Sequence, residues 1–457
     1  MSFSWWHEIY MPEEILCHFY KNRPQASVHM ASSKFKLYNE ASKTYSSAPQ
    51  FSCIRSIEAE WDIGEYNGLT RRRSAGGYPD KLRAAVHRSE RLENLTLVNT
   101  QNWRPVISGG GPYEWSEVQA KDQGDLISAK KENVLPQVKN IHFESIRFEP
   151  HQSALWAARL QWQALKHLAL ICVDWAHLLP KITIPGCFHA LETLEMSIPS
   201  LHSPHKRDRS TYTRQVGQFH AFLKELPRLK MFIGYGFAQT SLGVLAKYHA
   251  GALHHLRFRY TTLGSDLGMA TGSEIQCHSA ASILDIIDLA IQFPNLLSLG
   301  INLDWTAEYE LPYDILANIV QHTRLRHLEL NLPNLSRCDS RPWPFPNLSE
   351  NICRALIESF DRASLRLQSV HFVLGDLFPF KRPPNIRSHM EAFVVGERDS
   401  VGQMRFDKLW QYTQVGVLMF SGSLVPRVPP HQLRGHWPAN LRQDVEGRIS
   451  DLFCGRR

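Results

Sequence analysis

The chain has 457 residues, 43% hydrophobic and 21% charged, with a formal net charge of +7. That is the balance of an ordinary soluble protein with ample material for a core. It carries no apolar run long enough to span a membrane, and its eight cysteines lie scattered without a C-x-x-C pair, which excludes disulfide scaffolds and clustered metal sites.

The densest basic stretches, Arg71-Arg72-Arg73 and the segment from His202 to Arg214, sit in loop-like sequence. A nucleic-acid surface would want such charges interleaved with stacking aromatics on one face, whereas these sit in Gly/Ser-rich loop sequence, so no nucleic-acid partner is expected. Residues 1–14 carry charges and no apolar core segment, which argues against a secretory signal and for a cytoplasmic or nuclear protein.

In chain order, the first predicted element is a helix over Met11 to Tyr20. Pro12 suits its first turn, and Glu13 and Glu14 favour the positive end of the helix dipole. Ile15, Leu16 and Phe19 would form one apolar stripe. A second helical segment is predicted over Ser27 to Ala41.

From residue 51 a different pattern takes over. Leu325-Arg326-His327-Leu328-Glu329-Leu330 returns in outline at Leu92, Leu165, Leu191, Leu253 and Leu296. Apolar residues at positions one, four and six can enter a core while those between face outward, the signature of a short half-buried strand. Counting weaker copies, units start at 54, 92, 138, 165, 191, 229, 253, 296, 325 and 367, a mean spacing of about 35 residues. Helical stretches over 215–226, 279–293, 313–322 and 349–361 precede four of them. Pro227 and Pro294 stop two of these helices. This recurrence predicts an α/β leucine-rich-repeat solenoid, irregular in its spacing, with parallel strands on its concave face and helices on its convex face.

Polar insertions over 99–137, 200–214, 261–278 and 333–346 read as loops. The repeat fades after about residue 376, a capping element is predicted over 404–420, and 421–457 reads as a loose tail. The expected division is 1–50, 51–400 and 401–457.

No nucleotide-binding, nucleophile-elbow or H-E-x-x-H motif is present. Gly109-Gly110-Gly111 opens no helix, and Cys277-His278 and Cys187 with His189 are isolated ligand pairs. No catalytic residue, cofactor or metal is therefore expected. What remains is the outward face of the sheet. There, parallel stacking would align His142, His167, Glu195, His255, Arg257, His327, Glu329 and His371 as a partner-binding surface. Histidines in such rows suit an acidic or phosphorylated peptide.

Two segments of the N-terminus carry a family resemblance. Met11-Pro12-Glu13-Glu14-Ile15-Leu16 is similar to the opening of the F-box motif, and Ser32-Ser33-Lys34-Phe35 looks like its close. Lys21-Asn22-Arg23-Pro24 departs from the leucine-rich middle of that motif. Together with the repeats, the chain resembles fungal F-box and leucine-rich-repeat proteins. The resemblance implies a non-enzymatic substrate receptor, docked through Pro12, Ile15, Leu16 and Phe19 on the adaptor of a cullin-type ubiquitin ligase. The alternative is a free-standing leucine-rich binding or scaffold protein whose F-box has decayed.

Overall fold

A computed structural model describes residues 2–5, 13–23, 25–32, 53–61, 86, 89–99, 137–144, 146, 148, 150–171, 173–198, 209–237, 240–260, 281–303, 311–332, 350–374 and 390–412. They divide into two compact units, Met1–Leu229 and Lys230–Arg457. The boundary falls inside the stretch that the repeat pattern joins.

The first unit runs β1 (Ser2–Trp5), α1 (Glu13–Asn22), β2 (Ser27–Ser32), β3 (Ile54–Trp61), β4 (Asn94–Asn99) and β5 (Asn140–Glu144). It continues with α2 (Pro150–Arg159), β6 (His167–Ile171), α3 (Leu179–Ile182), β7 (Thr193–Ser197) and α4 (Arg209–Glu225). Every strand pairs with its predecessor in sequence, and every pairing is parallel.

The second unit runs β8 (Met231–Phe237), α5 (Thr240–His249), β9 (His255–Tyr260), α6 (Ile283–Gln292), β10 (Ser298–Asn302) and α7 (Tyr313–Ala317). A 3-10 turn over Asn318–Gln321 follows, then β11 (His327–Leu332), α8 (Glu350–Arg362), β12 (Ser369–Leu374), β13 (Met390–Arg398) and β14 (Met404–Tyr412). Strands β8 to β12 are parallel, and β13 and β14 close the unit antiparallel. Parallel neighbours need a crossover between them, which is the work the helices before β9 to β12 do.

The strands fall where the repeat outline puts them because positions four and six stack in register. In the first unit Ile57, Leu95, Ile141, Leu168 and Leu194 form one ladder and Ala59, Leu97, Phe143, Leu170 and Met196 a second. In the second unit Phe232, Leu256, Leu299, Leu328 and Val370 form the first, and Phe258, Ile301, Leu330 and Phe372 continue the other. All of these side chains are buried. The lead-in residues Leu92, Leu165, Leu191, Leu253, Leu296, Leu325 and Leu367 are buried as well. The backbone repeats with them: the N–H groups of His255, Ser298, His327 and Ser369 donate to Lys230, His254, Leu297 and Arg326 at 2.9–3.1 Å from strand to strand.

Aromatic side chains fill the space between strands and helices. Trp156 of α2 meets Phe143 of β5 edge-on at 4.8 Å, and Phe188 bridges Trp162 and Phe222 of α4 at 5.5 and 5.4 Å. Gly234 holds position six of β8 because a Cβ there would stand 2.7 Å from the Phe232 ring. Helix α6 starts at a capping box, where the Ser282 hydroxyl accepts from the Asp285 N–H and the Asp285 carboxylate accepts from the Ser282 N–H at 2.7 Å.

Residues 209–214, expected as part of a loop over 200–214, are the first turns of α4, and two further expectations are corrected. Ser27–Ser32 is strand β2, paired with β1 and β3, where a helix was predicted over 27–41. The residues Val28 and Met30 recur at period two, and Val28 is fully buried, so the pleat rather than the helical stripe decides. The residues 33–41 of that prediction lie outside the described residues. The sheet also starts earlier than residue 51, with β1 and β2 preceding the first unit read from the pattern.

The predicted capping element is, over 404–412, the second strand of an antiparallel pair. Its turn is closed by Asp399, whose carboxylate accepts from the N–H groups of Val401 and Gln403 at 3.0 and 2.9 Å. Those bonds, the Gln403 N–H foremost, hold the Asp399 carboxyl below its ordinary value. Arg398 ties the pair to the last repeat: it pairs with Asp361 of α8 and donates to the Leu367 carbonyl. Residues 413–420 lie outside the described residues.

His322, buried at the end of the 3-10 turn, donates its Nε2–H to the Ile286 carbonyl of α6 at 3.2 Å. Burial pushes its pKa down to about 4 from 6.5. Above pH 6.5 the ring is neutral folded or unfolded. Between 6.5 and 4 only the unfolded chain takes the proton, so folding weakens as pH falls. A difference of about 2.5 units corresponds to roughly 3 kcal/mol. Urea titrations from pH 7.5 to 4 should therefore record a stability loss of that order, and His322→Gln should flatten the slope. Leu328→Ala, in the middle of the ladder of the second unit, should cost roughly 2–5 kcal/mol in the same measurement at pH 7.5.

Candidate functional site

Five of the eight residues proposed for the outward face converge in the second unit. His255 and Arg257 on β9, His327 and Glu329 on β11, and His371 on β12 line one open depression of about 200 Å³. The strand pleat puts them there, since positions three and five of each unit face away from the buried ladders. Register completes the arrangement. One row reads Met231, His255, Ser298, His327 and Ser369 across β8 to β12, and the other reads Ile233, Arg257, Gly300, Glu329 and His371.

Arg257 and Glu329 stand on strands that are not neighbours, with β10 between them, yet their side chains form an ion pair. Two strand spacings put the backbones roughly 10 Å apart. The link is made over Gly300: a Cβ there would meet the Arg257 Cγ at 2.9 Å and its Nε at 3.4 Å. The missing side chain is the channel through which the guanidinium crosses. Glu329 is largely withdrawn from solvent, while Arg257 keeps more than a third of its side chain exposed. Beside them, His327 Nδ1 and the Ser369 hydroxyl lie 2.8 Å apart. Burial, with the nearby His254 and His327, holds the His255 ring below its ordinary pKa. At neutral pH His255 is therefore neutral, and a fixed charge pair sits among polar groups with Met231 and Ile233 as an apolar flank.

The other three proposed residues lie in the first unit. His142 faces Ala169 in register, and Ala169 faces Glu195. His167 and Glu195 are half-buried. His142, expected to face solvent, is only 6% exposed, and its Nε2 stands 3.2 Å from Oε2 of the equally buried Glu144. Its neighbour Ala169 is fully buried too. Here His142 and Ala169 are buried rather than open to solvent.

Of the N-terminal residues proposed for adaptor docking, Pro12 and the side chain of Leu16 lie outside the described residues. Ile15 is half-buried and Phe19 is 9% exposed. Helix α1 connects two parallel strands, β1 and β2, as a crossover. A crossover helix must turn its apolar stripe inward, which withdraws Phe19.

The six-position outline misses the seventh residue. Glu144, Ile171, Ser197, Asn302 and Asn331 all follow position six directly and are all buried. Asn331 donates its Nδ2–H to the Ile301 carbonyl at 3.2 Å, satisfying a backbone group of the strand before it. The recurrence of Ile301-Asn302 and Leu330-Asn331 was the available signal. Gly300 gave none, because its use appears only when its neighbours in register are known.

Among the described residues no group of three or more histidine, cysteine or acidic side chains converges as metal ligands would, and no helix is long and apolar enough to cross a membrane. Burial pushes the Cys53 and Cys187 thiols up, so neither offers a reactive thiolate at neutral pH. Compared with known protein families and with curated proteins, the chain matches no family model and no curated protein.

The notch makes a direct prediction. Gly300→Val fills the channel with two methyl groups, so the ion pair should separate. The loss would be read in double-mutant cycles of Arg257→Ala and Glu329→Ala, whose coupling should be present with glycine at 300 and vanish with valine.

Proposed function

We propose that the chain is a non-enzymatic protein-recognition module that holds a partner protein on the outward face of its parallel sheet. The depression of the second unit is its main contact. The observation behind this reading is the convergence of His255, Arg257, His327, Glu329 and His371, from three separate repeats, on one open surface. Repeat architectures characteristically bind in this way, each unit contributing one or two outward side chains to an extended face.

For the N-terminal segment we favour the free-standing module over the ubiquitin-ligase receptor. Helix α1 serves as a crossover between paired strands, and the withdrawal of Phe19 supports a capping role for it. Terminal units of a repeat stack must shield the next unit from water, and the burial of Val28, Ile54 and Ile57 is what such a cap achieves. Docking to the adaptor of a cullin-type ligase is the second reading, carried by the half-exposed Ile15 and by the F-box-like sequence.

Affinity purification of the full chain with quantitative mass spectrometry tests both. Charge reversal on the face, Arg257→Glu with His371→Glu, should remove a defined set of co-purifying proteins while circular dichroism stays unchanged. An unchanged set would overturn the proposal. A ligase adaptor should be missing from the wild-type set. If one co-purifies and Ile15→Asp with Leu16→Asp removes it without lowering the melting temperature, the receptor reading replaces the free-standing one.

A further inference from the structure

The depression of the second unit already holds a carboxylate. Glu329 reaches the Arg257 guanidinium across the notch at Gly300, while Arg257 stays more than a third exposed. A guanidinium presents its N–H donors in a planar fork, the geometry that a carboxylate engages. Around the pair stand three histidines, two serine hydroxyls and no second acid among the lining residues.

Resting on the recognition reading above, we propose that the ligand of this surface is an acidic peptide segment of a partner protein. Its glutamate or aspartate side chains take the place on Arg257 that Glu329 holds in the free chain. Glu329 is thus a resident competitor that lowers affinity and sets a threshold for weakly acidic sequences.

Among the described residues that line the depression, the charged and titratable groups facing the pair are few. β8 contributes the aliphatic Met231 and Ile233, β9 His255 beside Arg257, β10 Ser298 and Gly300, β11 His327, and β12 Ser369 and His371. Beyond β12, register sets Val395 opposite His371 and Glu397 opposite Ser369. The histidines and serines supply N–H and O–H donors suited to the second oxygen of a bound carboxylate. The aliphatic flank suits an apolar residue beside the acidic one. The outward rows of β8 to β12 carry no Phe, Tyr or Trp on which successive bases of a single strand would stack, which favours a peptide as the acidic ligand.

The test is fluorescence polarisation on the purified full chain with a fluorescein-labelled decapeptide rich in glutamate and leucine. Matched controls are a lysine-for-glutamate decapeptide and a labelled single-stranded DNA decamer. The wild type should bind the glutamate peptide and neither control. Glu329→Gln should tighten binding about tenfold, since it removes a like charge and frees a charge-assisted donor. Glu329→Ala should act in the same direction, which guards against a peculiarity of the glutamine. Arg257→Gln should abolish binding with the circular dichroism unchanged. A weakened or unchanged affinity in both Glu329 variants overturns the proposal, as does preference for the lysine peptide or the DNA. If the glutamate peptide fails to bind while charge reversal still strips partners from the purified chain, the recognition reading stands and the acidic ligand falls.

Discussion

Everything in each unit depends on the backbone hydrogen bonds between consecutive parallel strands, because these fix which residue stands beside which. A parallel ladder in strict register aligns position four with position four and six with six. Were one strand to slip by a single residue, its leucines would turn out to the solvent face and its histidines inward. The buried ladders penalise that slip at every step. Leu168 lies between Ile141 and Leu194, and Leu299 between Leu256 and Leu328. Burying each such side chain is worth on the order of 1.5–3 kcal/mol, so the register is far more strongly specified than any single contact would suggest.

The same register creates the outward face as a by-product. Once leucines are aligned inside, the residues between them are aligned outside, and side chains far apart in sequence are brought within reach. Arg257 and Glu329 are 72 residues apart in the chain and touch. Their contact needs one more condition, the absence of a side chain on the strand between, and Gly300 meets it. An ion pair held in this way is partly screened by solvent and adds little stability. Its interest is as an oriented charge pair on an otherwise open surface.

The outermost described strands of each unit obey a different constraint. A row of unpaired backbone groups at a sheet edge invites association, and in the second unit the last described strands, β13 and β14, run antiparallel with a tight, carboxylate-braced turn. Arg398 then anchors that pair to α8 through Asp361. In the first unit, α1 and the strands on either side of it form a crossover unit built like the rest, without the leucine spelling.

The sequence by itself determined the strands of the repeats, because a period-two burial pattern flanked by helix and breaker admits few alternatives. All ten units read from it coincide with strands β3 to β12. It also named the five residues that meet in the depression, since alternation alone tells outward from inward. It misread residues 27–32, where a short apolar alternation resembles a helical stripe until its neighbours in the sheet are known. It could not foresee that His142 would be buried while His255 to His371 line an open depression. Nor could it pair Arg257 with Glu329 over Gly300. Those are facts of register and of what lies alongside, and they come into being only when separate repeats are hydrogen-bonded side by side.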